Sequence, residues 1–188
     1  MIKIGLQSDD RKQRAWREPG DQNRLNIPLE IALCQEGSVM FWRGIMHNRR
    51  TPLIPIRENI TSRVYIDTVI RPIILSLCNE LGINFIFMED NARPHRARTV
   101  KRVHDEEKFA KLPWPTNSPD QNLIENLWDH LSGAVHRRIY PPEYRDELII
   151  ALLEKGNNIS QELINRLIMS MHRHVNLLVS RRGGHTDY

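Results

Sequence analysis

The 188-residue chain is 40% apolar and 27% charged, a balance that suits a folded globular domain and excludes a disordered polyelectrolyte. A net charge of +4 admits a polyanionic partner without requiring one. The richest apolar stretch, Val69 to Met88, is broken by Arg71, Asn79 and Glu80, and the first ten residues carry no signal-peptide pattern, so the chain is expected to stay inside the cell.

In chain order, Ile2, Ile4 and Leu6 alternate as on a half-buried strand, and Ser8-Asp9-Asp10 read as a turn. Gln13 to Glu18 reads as a returning strand closed by Pro19-Gly20, while Asp21 to Gly37 carries no clear periodicity. Ser38 to Ile45 is rich in β-formers, and Pro52 to Ile56 fits beside it only as an edge, because proline cannot donate to a central ladder. From Thr61, apolar residues at Ile66, Val69, Ile70, Ile73, Ile74, Leu77 and Leu81 form one helical face; Gly82 ends it and Pro72 should kink it. Ile83 to Met88 reads as a short strand covered on both faces, ending in Glu89-Asp90. A basic helix is predicted from Pro94 to Lys108. A second follows with Ser118 as N-cap, Pro119 in the first position and Gln121 completing a capping box. Its stripe is Leu123, Ile124, Leu127, Trp128, Leu131, Ala134 and Val135, with Arg137 and Arg138 at its carboxy end. Two more amphipathic helices span Pro141 to Lys155 and Gln161 to Ser180, with Gly156 and Gly183 as caps. Strands first, then helices around one buried strand, predict an α/β fold: a mixed sheet with helices on both faces.

Two carboxylates stand out. Asp90 follows a strand, at the sheet edge where open α/β folds place their sites, although a residue there also serves simply to cap a turn. Glu125 lies about 130° from the centre of its helix's apolar stripe, a border from which it looks either into a cleft or into solvent. Arg93, Arg96, Arg98, Lys101 and Arg102 cluster within ten residues, as a solvated helix face or a phosphate-binding surface. Cys34 and Cys78 are far apart and read as buried, reduced thiols. His172 and His174, two apart on a helix, face different ways and do not suggest a zinc site.

Several of these segments resemble motifs of the Tc/mariner superfamily of DNA transposases. Met88-Glu-Asp-Asn-Ala-Arg-Pro-His95 is similar to its QDNARPH motif, and Trp114-Pro-Thr-Asn-Ser-Pro-Asp-Gln-Asn-Leu-Ile-Glu-Asn-Leu-Trp128 to its WPxxSPDLNPIExLW motif. The 34 residues between Asp90 and Glu125 match the interval in one branch. Asp10 to Gly20 resembles DRRxRVWRxPG, Gly37 to Ile45 resembles GSVMVWAGI, and Arg182 to Tyr188 resembles the terminal GGHTxY. The resemblance covers nearly the whole chain.

It implies an RNase H-like catalytic domain over residues 1–188 that cuts DNA and joins 3′ ends in cut-and-paste transposition, in the nucleus. Its partners would be DNA, as element ends and target, and it admits a homodimer. Catalysis would use two ions, Mg²⁺ or Mn²⁺, held by three carboxylates, because such ions can both activate a water and stabilise the leaving alkoxide. Asp90 and Glu125 would be two of the three metal ligands. Asn91, His95 and Asn122 match supporting positions; His95 either orients a ligand or caps a helix. The cluster Arg93, Arg96, Arg98, Lys101 and Arg102 would meet DNA.

The departures concern the start. If Leu6 matches the leucine of the family's DESRFCL strand, Met1 stands just after the first catalytic aspartate, leaving that strand truncated. Asp9 and Asp10 lie about nine residues, or ~30 Å of extended chain, too far along to replace it, and Glu30 is no evident substitute. The family's helix-turn-helix region has no counterpart here. Gln121, Leu123 and Pro113 are milder departures. The expectation is therefore a catalytically inactive core; the alternative is a non-catalytic remnant that binds DNA without sequence preference.

Overall fold

The computed structural model describes residues 1–5, 38–115, 118 and 121–181. The predicted turn at Ser8-Asp10, the strand from Gln13 to Glu18, Cys34 and Gly183 lie outside them.

The fold is organised by strand β2 (Ser38–Trp42), which pairs antiparallel with β1 (Ile2–Gly5) on one side and β5 (Ile54–Ile56) on the other. Side chains alternate across a pleated strand, so each face of β2 enters its own core. Val39 and Phe41 pack with Ile4 against three carboxy-terminal helices, and Trp42 faces the opposite way with Ile56. As the prolines require, β5 is an edge among the described residues: Pro55 pairs with Phe41 on β2, and no further described strand needs its missing N–H. Beyond β2 the chain makes a small hairpin, β3 (Ile45–Met46) with β4 (Arg49–Arg50), turning at Asn48 with φ of 62°.

One continuous helix, α1, covers one face of this sheet. It starts at Thr61, whose side chain accepts the Val64 N–H, and runs through Ser62–Tyr65, Ile66–Ile74 and Leu75–Leu81. Around Pro72 the helix widens into a π-helical middle segment, in which the Leu75 N–H bonds the Ile70 carbonyl five residues back. Proline lacks an N–H and its ring crowds the carbonyl four residues earlier; the wider turn relieves both. Gly82, at φ of 60°, ends α1.

The next segment departs from expectation. Only Ile86–Phe87 forms a strand, β6, and it pairs in parallel with β7 (Ala110–Lys111). Ile83 and Ile86 are 98% and 63% exposed, so this strand is covered on one face and not on two. Phe85 and Phe87 turn inward onto Phe109 at ring separations of 6.1–6.3 Å, joining α1 and helix α2 (Arg98–Glu107) in the second core. Among the described residues the strands pair as three small sheets, and helices cover both faces of the one centred on β2.

Helix α2 begins at Arg98, not Pro94, because residues 92–97 are held in a turn by Ala92 and Pro94 carbonyls. Helix α3 (Leu123–His136) begins after Asn122, so Ser118, predicted as its cap, lies before its start; the Ser118 carbonyl accepts the Gln121 N–H at 3.3 Å. Its stripe is as predicted, with Leu127, Trp128, Leu131 and Val135 fully buried. Helices α4 (Arg145–Asn157) and α5 (Gln161–Ser180) complete the first core, α4 starting beyond the Pro141-Pro142 pair. Gly156, expected as a cap, sits inside the last turn of α4, where a Cβ would lie 2.5 Å from Leu53 Cδ2. Arg43, buried, donates to the Gly156 and Thr51 carbonyls, and Arg50 donates to those of Asn157 and Ile159. Two guanidinium groups thus meet the unpaired carbonyls at the negative end of α4. Burial, then repulsion from Arg50, brings Arg43 down to about 10, which leaves it charged at neutral pH.

Candidate active site

Asp90 stands three residues beyond β6, and the pairing of β6 with β7 is prolonged by the Leu112 N–H on the Phe87 carbonyl. Its Oδ1 accepts the Ala92 N–H at 3.0 Å and lies 2.7 Å from His95 Nδ1. Oδ2 has no hydrogen bond to another described residue. The His95 bond, with help from Ala92, holds the Asp90 carboxyl down at about 2 against the opposing effect of burial. His95 is itself buried, with Nε2 unpartnered among the described residues. Placing the proton on Nδ1 satisfies Asp90 and leaves Nε2 as a bare acceptor, the tautomer that avoids an unpaired buried N–H.

Behind His95 lies a polar cluster that no sequence argument identified. The Tyr65 ring rests on the imidazole at 4.4 Å, and its hydroxyl donates to Glu89 Oε2 at 2.5 Å. Lys111 Nζ donates to Glu89 Oε1 at 2.5 Å, and the Glu89 side chain is only 3% exposed. Burial, then the Glu89 charge, pushes the Tyr65 phenol well above its ordinary value. One signal was available: glutamate stands where the QDNARPH motif has glutamine, and a buried carboxylate needs a cation.

Asn91 has a structural use. Its Nδ2 donates to the Trp114 carbonyl at 2.9 Å, tying the Asp90 loop to the segment that leads into α3. Glu125 sits on the first turn of α3, half-buried. Burial raises its pKa, repulsion from Asp90 and Asp129 adds to that, and the Met1 α-ammonium opposes it. The same ammonium is lowered by burial and held up by Asp90 and Glu125, so the start of β1 also comes to this place. Asp90, Asn91 and Ala92 on one side and Trp114, Pro115, Ser118, Asn122 and Glu125 on the other line one cavity of about 240 Å³. Asn122 marks the start of α3 without a side-chain cap bond, and its buried Oδ1 has no partner among the described residues.

Hard oxygen donors of this kind suit Mg²⁺ or Mn²⁺, which keep several waters and take few protein ligands. Among the described residues no cluster of three or more His, Cys, Asp or Glu side chains forms a ready ion site. Among the described residues the cavity is lined by two carboxylates, Asp90 and Glu125.

Arg93, Arg96, Arg98, Lys101 and Arg102 are placed on the turn after Asp90 and on α2, with side chains that reach solvent. Arg102 is drawn towards Glu106 at 3.5 Å; among the described residues the other four form no ion pair. A second cavity, about 330 Å³ between α1 and α2, has its charges spent internally, Asp67 lying 3.7 Å from Arg63 and 3.3 Å from Arg71. His172 is exposed and His174 buried, facing apart as expected. Cys78 is a free thiol, half-buried rather than buried. No described helix is long and apolar enough to cross a membrane.

Comparison with known proteins places the family and the fold. Residues 3–148 match the family described as DDE superfamily endonuclease. The Tcb2 transposase of Caenorhabditis briggsae is 27% identical over 152 residues, which cover 81% of this chain and 55% of that protein. The chain spans about half the length of the curated relatives it matches. Among solved structures, the Mos1 transposase catalytic domain with raltegravir and Mg superposes with a TM-score of 0.65 at 17% identity, over 80% of this chain and 78% of that one. The Mos1 paired-end complex with its left transposon end gives 0.71 at 17% identity, over 98% of this chain and 54% of that one. The expected RNase H-like fold is the observed one, and the chain, which is similar to transposases of the Tc/mariner group, belongs to the DDE superfamily of endonucleases.

Proposed function

We propose that this chain carries two of the three metal-binding carboxylates of a transposase core that acts on DNA in the nucleus, and that the 188-residue polypeptide by itself does not cut DNA. The observation that supports this reading is the single cavity lined by both Asp90 and Glu125, where the Asp90 charge raises the cost of ionising Glu125. Asp90 and Glu125 would hold Mg²⁺ or Mn²⁺. Bound divalent ions supply an activated water and a stabilised leaving oxygen in phosphodiester chemistry. The protein's own contribution is to present Asp90 ionised, its Oδ1 saturated by Ala92 and His95, and to keep Glu125 fixed on a helix locked into the core. Two carboxylates can bind an ion, and each ~1.4 kcal/mol of transition-state stabilisation is worth about tenfold in rate. The chain is read as one domain that pairs with a second copy on DNA.

Purified polypeptide should bind Mn²⁺ weakly by electron paramagnetic resonance, lose that binding in Asp90→Asn, and leave pre-cleaved element-end DNA uncut. Nicking that disappears in Asp90→Asn would overturn the inactivity. A second reading, a sequence-nonspecific DNA-binding role, is favoured by Arg93, Arg96, Arg98 and Lys101, which form no ion pair among the described residues and reach solvent. Duplex DNA binding should then persist in Asp90→Asn. Replacing Arg96, Arg98 and Lys101 by glutamine should flatten the salt dependence of binding by about one for each phosphate left without its cation. Salt dependence unchanged by the triple substitution would remove this surface from consideration.

A further inference from the structure

We propose that Glu89, clamped between Tyr65 and Lys111, is a positioning residue that fixes His95 and through it aims Asp90 into the cavity. The inference deepens the reading of Asp90 as a metal ligand and rests on it, but its core, the hold on His95, stands on its own geometry.

Three observations carry it. Glu89 is a fully formed carboxylate clamp in a buried place: Oε2 takes the Tyr65 hydroxyl and Oε1 takes Lys111 Nζ, each at 2.5 Å. A carboxylate buried to 3% exposure is costly to keep there unless it is paired and hydrogen-bonded, as this one is. Second, the group held by the clamp is the backing of His95. The Tyr65 ring covers the imidazole, and Glu89 Oε2 lies 3.8 Å from His95 Nδ1, so the clamp packs against the side of the ring that faces Asp90. Third, the consequence reaches Asp90. The His95 Nδ1 proton and the Ala92 N–H both go to Oδ1, which leaves Oδ2 without a donor among the described residues, on a side chain that lines the cavity. The clamp thus converts a freely rotating carboxylate into one with a spent oxygen and an available one.

The arrangement also crosses three elements. Tyr65 belongs to α1, Glu89 follows β6 and Lys111 ends β7, so the clamp registers the strand tip against the helix beneath it. A clamp of this kind works by shape and hydrogen bonding, and a neutral glutamine at 89 would preserve the Tyr65 bond.

The test uses the whole chain and reads His95 directly. Long-range ¹H–¹⁵N spectra of the native protein should show His95 as the Nδ1–H tautomer with a slowly exchanging ring proton. Tyr65→Phe, which removes one oxygen and keeps the ring, should speed that exchange at least tenfold, and Glu89→Leu should abolish the tautomer preference, whereas Glu89→Gln should retain it. Mn²⁺ affinity should fall at least threefold in Tyr65→Phe and stay near native in Glu89→Gln. If Glu89→Leu does not fold, Tyr65→Phe decides. An unchanged tautomer and exchange rate in a folded Tyr65→Phe protein would overturn the proposal. If native protein takes up no Mn²⁺, the metal reading fails while the spectra still decide the positioning.

Discussion

Replacing His95 with leucine removes the strongest partner of Asp90 while keeping much of the volume beneath the Tyr65 ring. In the native chain that partner holds the carboxyl at about 2 against an ordinary 3.8. At about 1.36 kcal/mol for each pH unit, the difference corresponds to about 2.4 kcal/mol. The Asp90 side chain is 34% exposed, so solvent screening reduces this to about 1 kcal/mol of usable stability. The sign follows from a depressed native pKa: the stabilisation is present above the unfolded value near 3.8 and is lost as pH falls through about 2. In His95→Leu, with only the Ala92 N–H remaining, the Asp90 midpoint should rise by at least one pH unit, read from its carboxyl carbon by NMR. Urea melts should show the variant about 1 kcal/mol less stable at pH 7 and the deficit closing by pH 2. A midpoint that stays near 2 would refute the assignment of His95 as the group that holds Asp90 ionised.

Gly156→Ala should destabilise the fold by about 1–3 kcal/mol in urea, because its Cβ would press on a core leucine that has little room to retreat; neutrality would mean that Leu53 finds another rotamer. Apparent Mn²⁺ affinity should rise with pH through the elevated Glu125 range, since the ion competes with a proton there, and Glu125→Gln should remove that step from a calorimetric pH series. An aspartate added directly before Met1 should tighten Mn²⁺ at least tenfold, because the α-amine of Met1 already lies in the field of both carboxylates. Unchanged affinity would show that the added side chain does not reach the cavity.

Legibility in the sequence followed the strength of local periodicity. The α3 stripe and the whole of α5 could be read because their apolar residues recur with the helical period and nothing interrupts them. The edge position of β5 could be read because Pro55 forbids any other. Misreadings arose where tertiary bonds outweighed local pattern. Ile83 to Met88 looked buried on both faces, yet pairing with a two-residue β7 leaves Ile86 in solvent. Pro94 and Ser118 each suggested a helix start, yet the turn around Ala92 delays α2 to Arg98, and α3 begins only at Leu123. Asp90 and Glu125, which line one cavity, could be singled out from strand-end and helix-flank positions together with family motifs. The Tyr65–Glu89–Lys111 clamp was not, because its members lie 22 and 24 residues from Glu89 and share no period.

The two carboxylates of the cavity belong to different cores, and this explains how they are kept together. Asp90 is carried by β6, whose Phe87 packs in the cluster of α1 and α2, whereas Glu125 is carried by α3, whose stripe packs in the cluster of α4 and α5. Each cluster claims one face of β2, through Trp42 on one side and Val39 and Phe41 on the other. Mutual repulsion of the two charges pushes them apart, but relieving it would require one core to slide on that strand, which close packing resists. The site is therefore held in its repulsive geometry by the strand between the cores, and a cation is the ligand that such a geometry favours. Its accuracy depends less on the residues lining the cavity than on the fit of two unrelated hydrophobic surfaces to opposite sides of the five residues of β2.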